Sequence, residues 1–347
     1  MSWPIKEDIT QGVIDMLRVN MNFKDSEKLV VVSDEPRLAD WLESDQSELM
    51  EQVERVVLGR MVCEIAQEEF PDATVEFFPF PATGGHGTEP DAQTAAKMRE
   101  PDVLLCLTRY SLSHTNAREA ATSSGARVAS MPGFTHEMLA PGGPMAVDHN
   151  QMAVDCQRFA DLMTAAEQVH IRTPHGTDLR FSLKGRNGNV DHGLYRDAGV
   201  WGNLPAGESY AAPLEGTGEG RLVVPAGWFP GLKEQMVLTI AKGLVVSIEG
   251  GGRVGDDFRG LLDFESDDPI VLARRNIAEL GIGTNPNARR PDNVLEAEKI
   301  MGTVHVAIGD SSHMGGVVEA DLHEDFILPE AELIFDGQPV IKNGEWL

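Results

Sequence analysis

The chain has 347 residues, length enough for about two domains, and its 41% hydrophobic and 24% charged residues are an ordinary globular composition. Asp and Glu total 55 against 29 Lys and Arg, a net charge of −26. So negative a chain is repelled by phosphate backbones and anionic bilayers, which excludes nucleic acid and membrane from the expected partners.

No run approaches the roughly 18 apolar residues of a membrane span. The start, Met1-Ser2-Trp3-Pro4-Ile5-Lys6-Glu7-Asp8, has no basic segment leading into an apolar one, which predicts a cytoplasmic rather than a secreted protein. Cys63, Cys106 and Cys156 form no CxxC pair and read as core thiols of a reducing compartment.

In chain order, Ile9, Val13, Met16 and Leu17 recur at helical spacing, and Leu29 to Val32 is a short apolar run of strand type. A long helix follows, with Leu49, Val53, Val56, Val57, Met61 and Ile65 on one face, ending at Pro71. Val75 to Phe78 reads as strand, Asp91 to Arg99 as helix, Val103 to Leu107 as buried strand, Thr115 to Ser123 as helix and Arg127 to Ser130 as strand. Strands alternating with helices predict a mostly parallel sheet covered on both faces.

The pattern changes near residue 155. The helix Cys156 to Glu167 leads into Val169 to Arg172 and Leu179 to Leu183, joined by Pro174-His175-Gly176-Thr177. Gln235 to Ala241 pairs with Leu244 to Glu249 about Lys242-Gly243, Ile270 to Ala278 looks helical, and Asp336-Gly337 and Asn343-Gly344 mark tight turns. The expected architecture is an α/β domain over residues 1–155, then an α+β domain rich in antiparallel hairpins over 156–347, the half in which the metal-site residues described below fall.

Two loops of the first half invite a ligand. Thr83-Gly84-Gly85-His86-Gly87-Thr88-Glu89-Pro90 lacks both the lysine of a phosphate loop and the spacing of a dinucleotide fold, so it reads as a turn. Ser111 to Arg118 follows a strand of the parallel sheet, where α/β domains bind their ligands. His114 and Arg118 are therefore candidate substrate contacts, against the alternative of a capped helix start with Ser113 or Thr115 as cap.

Between Asp292 and Asp336 lie 11 acids, one base (Lys299) and three of the ten histidines. A solvated acidic face is the default reading of such a run; the histidines point to a cation instead. His323-Glu324-Asp325 opens the apolar run Phe326-Ile327-Leu328, and on a strand residues two apart face the same way, so His323 and Asp325 aim together. His305 sits in the small apolar strand Thr303 to Gly309, where a core histidine is the alternative. Imidazole with carboxylate is a usual shell for zinc, manganese, cobalt or iron. Glu249, before Gly250-Gly251-Gly252, and Glu279, between Ala278 and Leu280, are acids in apolar settings that are costly to bury without a partner; Arg274 or Arg275 could serve Glu279.

The succession Asn203-Leu204-Pro205-Ala206-Gly207-Glu208, Ile248-Glu249-Gly250-Gly251, Ala278 to Pro286, Val304 to Asp310 and His323-Glu324-Asp325 resembles the metallo-aminopeptidases of the aminopeptidase T type, family M29. The resemblance implies a pair of divalent metals (zinc, cobalt or manganese) held by Glu249, Glu279, His305, His323 and Asp325. It also marks Asn203 as a substrate contact. The family peptidases carry a tyrosine near the metals at the position of Ser312; here His313 follows, and it or a nearby carboxylate is the candidate for moving the proton.

The implied activity is hydrolysis of an amide or peptide bond by metal-activated water, on a small molecule or short peptide, by a homodimer or higher homo-oligomer. The alternative is the related 2,5-dihydroxypyridine dioxygenase branch, which holds one iron(II) with two histidines and an aspartate and cleaves a dihydroxylated ring. That branch has histidine at the position of Glu279 and none at that of His305, so this chain's residues favour the hydrolase shell.

Overall fold

The computed structural model describes residues 3–347; Met1 and Ser2, the start of the stretch read for a leader, lie outside the described residues. The chain forms two compact units. Unit 1 takes Met1–Asn150 and Gly193–Ala206, and unit 2 takes Gln151–His192 and Gly207–Leu347. In place of one crossing at 155, the chain thus leaves unit 1 at 150, returns for fourteen residues and leaves again. The returning piece supplies a sheet strand that local patterning does not reveal.

Unit 1 is built on five parallel strands, β1 (Lys28–Glu35), β2 (Thr74–Pro81), β3 (Val103–Cys106), β4 (Arg127–Ser130) and the returning β8 (Trp201–Asn203), in the order β2-β1-β3-β4-β8. Leu29 to Val32 are wholly buried, as a parallel strand with both faces covered requires. The helix Gln46–Glu69 starts at Asp45, whose side chain accepts from the Glu48 amide. Its buried face runs through Gln52, Arg55, Leu58, Gly59, Val62, Ile65 and Ala66, rotated from the expected one. Gly59 lies on that face: a Cβ there would press on the Phe77 ring, so glycine lets the helix close on β2 at that point.

Unit 2 opens within the helix His149–Ala165, at Gln151, and contains two antiparallel sheets. The first has eight strands, β5 (Gln168–Arg172), β6 (Asp178–Ser182), β10 (Glu219–Val224), β11 (Met236–Ala241), β12 (Leu244–Gly250), β16 (Glu332–Phe335), β17 (Gln338–Lys342) and β18 (Glu345–Trp346), in the order β12-β11-β10-β6-β5-β16-β17-β18. Its three predicted turns hold: Lys242-Gly243, Asp336-Gly337 and Asn343-Gly344 all have positive φ at both residues, the backbone that a two-residue hairpin requires.

The second sheet has five strands, β7 (Asn189–Asp191), β9 (Glu208–Ala211), β13 (Ile277–Gly283), β14 (Val304–Gly309) and β15 (His323–Leu328), in the order β15-β14-β13-β9-β7. Leu280, Ile282, Val304, Val306, Ile308, Phe326 and Leu328 join the apolar core of the unit. The stretch read as one helix from 270 divides. Asp268 caps a short helix, Pro269–Arg274, and Ile277 begins β13, so Glu279 stands within a strand rather than after a helix.

Candidate metal centre

The five-stranded sheet presents core residues on one face, so the alternate residues of the same strands collect on the other. Register places them together. Gly283 pairs with Glu208, Gly281 with His305, Ala307 with both Glu279 and Asp325, and Gly309 with His323. Each large donor therefore lies opposite glycine or alanine. At Gly281 the small partner leaves the space that a donor fills: a Cβ there would overlap the His305 imidazole.

Two acid–imidazole groups result, Glu208–Glu279–His305 and Glu279–His323–Asp325, each with one donor atom per residue within 4.8 Å of the others. Glu279 belongs to both. Its Oε1 lies 3.3 Å and its Oε2 3.2 Å from Nε2 of His305 and of His323 respectively. His305 Nε2 is also 3.4 Å from Glu208 Oε2, and His323 Nε2 is 3.9 Å from Asp325 Oδ1. On its far side the His323 ring bonds through Nδ1 to the Asp310 carbonyl, 2.8 Å away, which turns Nε2 towards the acids.

His305 is wholly buried, with Glu279 and Glu208 nearly so. Burial alone would disfavour charge on His305, but Glu208, Glu279 and Asp325 outweigh it and hold the ring well above its ordinary pKa. For His323 the same contest, with Glu279 and Asp325 winning, raises the pKa to about 10. Burial works to raise Glu279 as well, yet His305 and His323 keep it well below the usual carboxylate range. A cation entering here must displace protons from the imidazoles.

The residues fit a divalent cation. Glu208 Oε2, Asp325 Oδ1 and His305 Nδ1 are buried without a hydrogen-bond partner among the described residues, a costly state for carboxylate oxygens that a cation would relieve. Three carboxylates and two imidazoles are also the donor types that zinc, manganese, cobalt and iron accept.

Four of the five expected ligands, Glu279, His305, His323 and Asp325, meet here. Glu249 does not. It pairs with Val237 in the eight-stranded sheet, exposed, and belongs to neither group. Glu208 occupies the fifth place. It stands in the Asn203 to Glu208 stretch already noted for its resemblance, as the first residue of a strand whose next residue, Ser209, is wholly buried. An acid directly after Gly207 (φ 125°) at that strand start is the signal the sequence held.

His313 lies in the turn Ser312–Met314, with its side chain 56% exposed and Nε2 3.9 Å from Asp310 Oδ1. The candidate substrate contacts are in unit 1. Thr115 is the helix cap, accepting from the Arg118 amide. The Arg118 guanidinium stacks 4.0 Å over Trp201 and donates to the Ser113 carbonyl. The exposed His114 meets the same indole edge-on at 6.0 Å. Asn203 Nδ2 donates to the Ser130 carbonyl at 3.3 Å. Unit 1 holds one more acid–imidazole group, Glu54–His136–Glu137, in which His136 is engaged by Glu54 at 2.5 Å.

Burial pushes the thiols of Cys63, Cys106 and Cys156 up to about 12, so all three are poor nucleophiles. Among the described residues no helix is long and apolar enough to cross a membrane.

A parallel α/β unit is followed by an antiparallel unit that gathers imidazoles and carboxylates on one sheet face, donors able to hold a divalent cation. The family model described as 2,5-dihydroxypyridine 5,6-dioxygenase (NicX) matches residues 23–347, and the chain belongs to this family. The curated 2,5-dihydroxypyridine 5,6-dioxygenase of Pseudomonas putida KT2440 is 24% identical over 198 residues, 53% of this chain. The chain spans about half, 55%, of that relative's length. Among solved structures, the 2,5-dihydroxypyridine dioxygenase of P. putida KT2440 shares the fold at TM-score 0.73 and 18% identity, covering 99% of this chain and 98% of the other. Wild-type AmpT from Thermus thermophilus does so at TM-score 0.66 and 16% identity, covering 99% of each. The expected resemblance to the aminopeptidase T family with its dioxygenase branch, and the expected fold class, are both met.

Proposed function

We propose that the chain is a ring-cleaving dioxygenase acting on a small dihydroxylated pyridine or aromatic compound with one iron(II). Membership of a family described by that reaction is the observation that carries this reading, and it displaces hydrolysis as the first choice. His323 and Asp325 on one strand, with His305 or Glu279 beside them, supply the imidazole and carboxylate donors of non-haem iron sites.

When bound, the metal supplies Lewis acidity and, as iron(II), reactivity with oxygen. This chain's residues do the rest. Asp310 fixes the His323 ring, Glu279 holds both imidazoles in place, and the apolar strands behind the sheet face keep water from the buried side. His313, exposed and 3.9 Å from Asp310, or a nearby carboxylate is proposed to move the proton. In unit 1, His114, Arg118 and Asn203 are proposed to contact the substrate.

A second reading, aminopeptidase-like hydrolysis of an amide or peptide bond, is favoured by one specific observation. The donors are three carboxylates and two imidazoles in overlapping groups, and Glu279 turns its two oxygens to different imidazoles, as a carboxylate bridging two cations of zinc, cobalt or manganese would. Either reading goes with a cytoplasmic setting, a small-molecule or short-peptide substrate and a homodimer or higher homo-oligomer.

Oxygen uptake separates the two. Protein loaded anaerobically with iron(II) is expected to consume one oxygen per molecule of a dihydroxypyridine or dihydroxylated benzene lost. No uptake over a panel of such rings, together with release of amine from aminoacyl amides by the zinc- or manganese-loaded protein, would reverse the order of the readings.

A further inference from the structure

Lys299 is the only base in the acidic window, and it is among the largest wholly buried side chains of the protein. Its Nζ lies 2.6 Å from Glu208 Oε1, 2.6 Å from Glu298 Oε1 and 3.7 Å from Asp191 Oδ2. Burying an ammonium costs several kcal/mol unless acids surround it, and here three do. The backbone holds it in place: the Asn285 amide donates to the Lys299 carbonyl, and Gly283 lets residues 299 and 300 cross close over β13, where a Cβ would strike the Ile300 carbonyl.

The two oxygens of Glu208 thus have different fates. Oε1 is taken by Lys299, while Oε2 is buried, lacks a hydrogen-bond partner and lies 3.4 Å from His305 Nε2. Three carboxylate oxygens converging on one cation are what a hard divalent ion would also take.

We propose that Lys299 is a built-in counter-cation: its ammonium fills the Glu208–Glu298–Asp191 end of the acid cluster, keeps divalent ions out of that end, and makes Glu208 a one-oxygen donor to the neighbouring centre. The proposal rests on the metal-centre reading for its second half only. Lys299 is a positioning residue, acting through Glu208.

The test counts Mn²⁺ per chain, by equilibrium dialysis and mass spectrometry, in the parent, Lys299→Ala and Lys299→Arg, with melting temperatures taken with and without Mn²⁺. Lys299→Ala is expected to bind one Mn²⁺ more than the parent and to recover with Mn²⁺ most of the melting temperature it loses without it. Lys299→Arg should keep the parent's count. An unchanged or lower count in Lys299→Ala overturns the proposal. So does a Lys299→Ala chain that fails to fold even in Mn²⁺, because an added cation should replace the lost one. A parent that binds no Mn²⁺, beside a Lys299→Ala variant that binds one, would remove the metal-centre reading and leave the counter-cation in place.

Discussion

Gly281 and His305 are cross-strand partners, and the imidazole of His305 occupies the space that any side chain on Gly281 would need. The pairing ties an unremarkable glycine in Leu280-Gly281-Ile282-Gly283 to the most deeply buried donor of the centre. Gly281→Ala is therefore expected to displace the ring and cost about 1–3 kcal/mol by overpacking. Divalent-metal affinity should fall at least tenfold. Calorimetric titration with Mn²⁺ beside a urea melt checks both; an unaltered titration would show that His305 is not a ligand.

Glu208, to which the sequence reading gave no role, takes the place expected of Glu249. Glu208→Ala should weaken metal binding at least tenfold, whereas Glu249→Ala, on the exposed face of the other sheet, should leave metal content and activity at the parent's level. Glu279→Ala should be the most damaging of the three, because both imidazoles lose their shared partner. Metal content after dialysis ranks them, and loss of metal in Glu249→Ala would overturn the assignment.

Asp91 caps the helix Ala92–Met98, accepting from the amides of Gln93 and Thr94 and from the Thr94 hydroxyl. The Thr94 amide is the main cause of its lowered pKa. A depressed carboxyl pKa gives stability that is complete above the unfolded value, near 3.8, and lost as pH falls through the folded one. Asp91→Ala should cost about 1 kcal/mol at neutral pH, and the gap between parent and variant should narrow below roughly pH 4. Urea melts across pH check this; a gap constant down to pH 2 would contradict it.

Local patterning made much of this fold legible. Leu29 to Val32 and Val103 to Leu107 read as strands of a parallel sheet, and Lys242-Gly243, Asp336-Gly337 and Asn343-Gly344 as turns, because each signal lies within a few residues. His323 and Asp325 were legible for the same reason, through the alternation of one strand. Three features were not. The return of Trp201–Asn203 to the parallel sheet depends on pairing with β4, some seventy residues earlier in the chain, and leaves no local mark. Helical spacing over 270–278 concealed the break at Arg275, where the chain passes into β13. Glu249 and Glu208 each adjoin glycine at a strand end; the strands they pair with decide between them, and pairing is a property of the whole sheet.

Glu208, Glu279, His305, His323 and Asp325 are proposed to hold a divalent cation. Crystals equilibrated with Mn²⁺ or, without oxygen, with Fe²⁺, and measured at the metal's absorption edge, test it most directly. An anomalous peak is expected between Glu279, His323 and Asp325, with a second beside His305 and Glu208 if Glu279 bridges two ions. Full occupancy elsewhere in the protein, with no peak among these five residues, would contradict it.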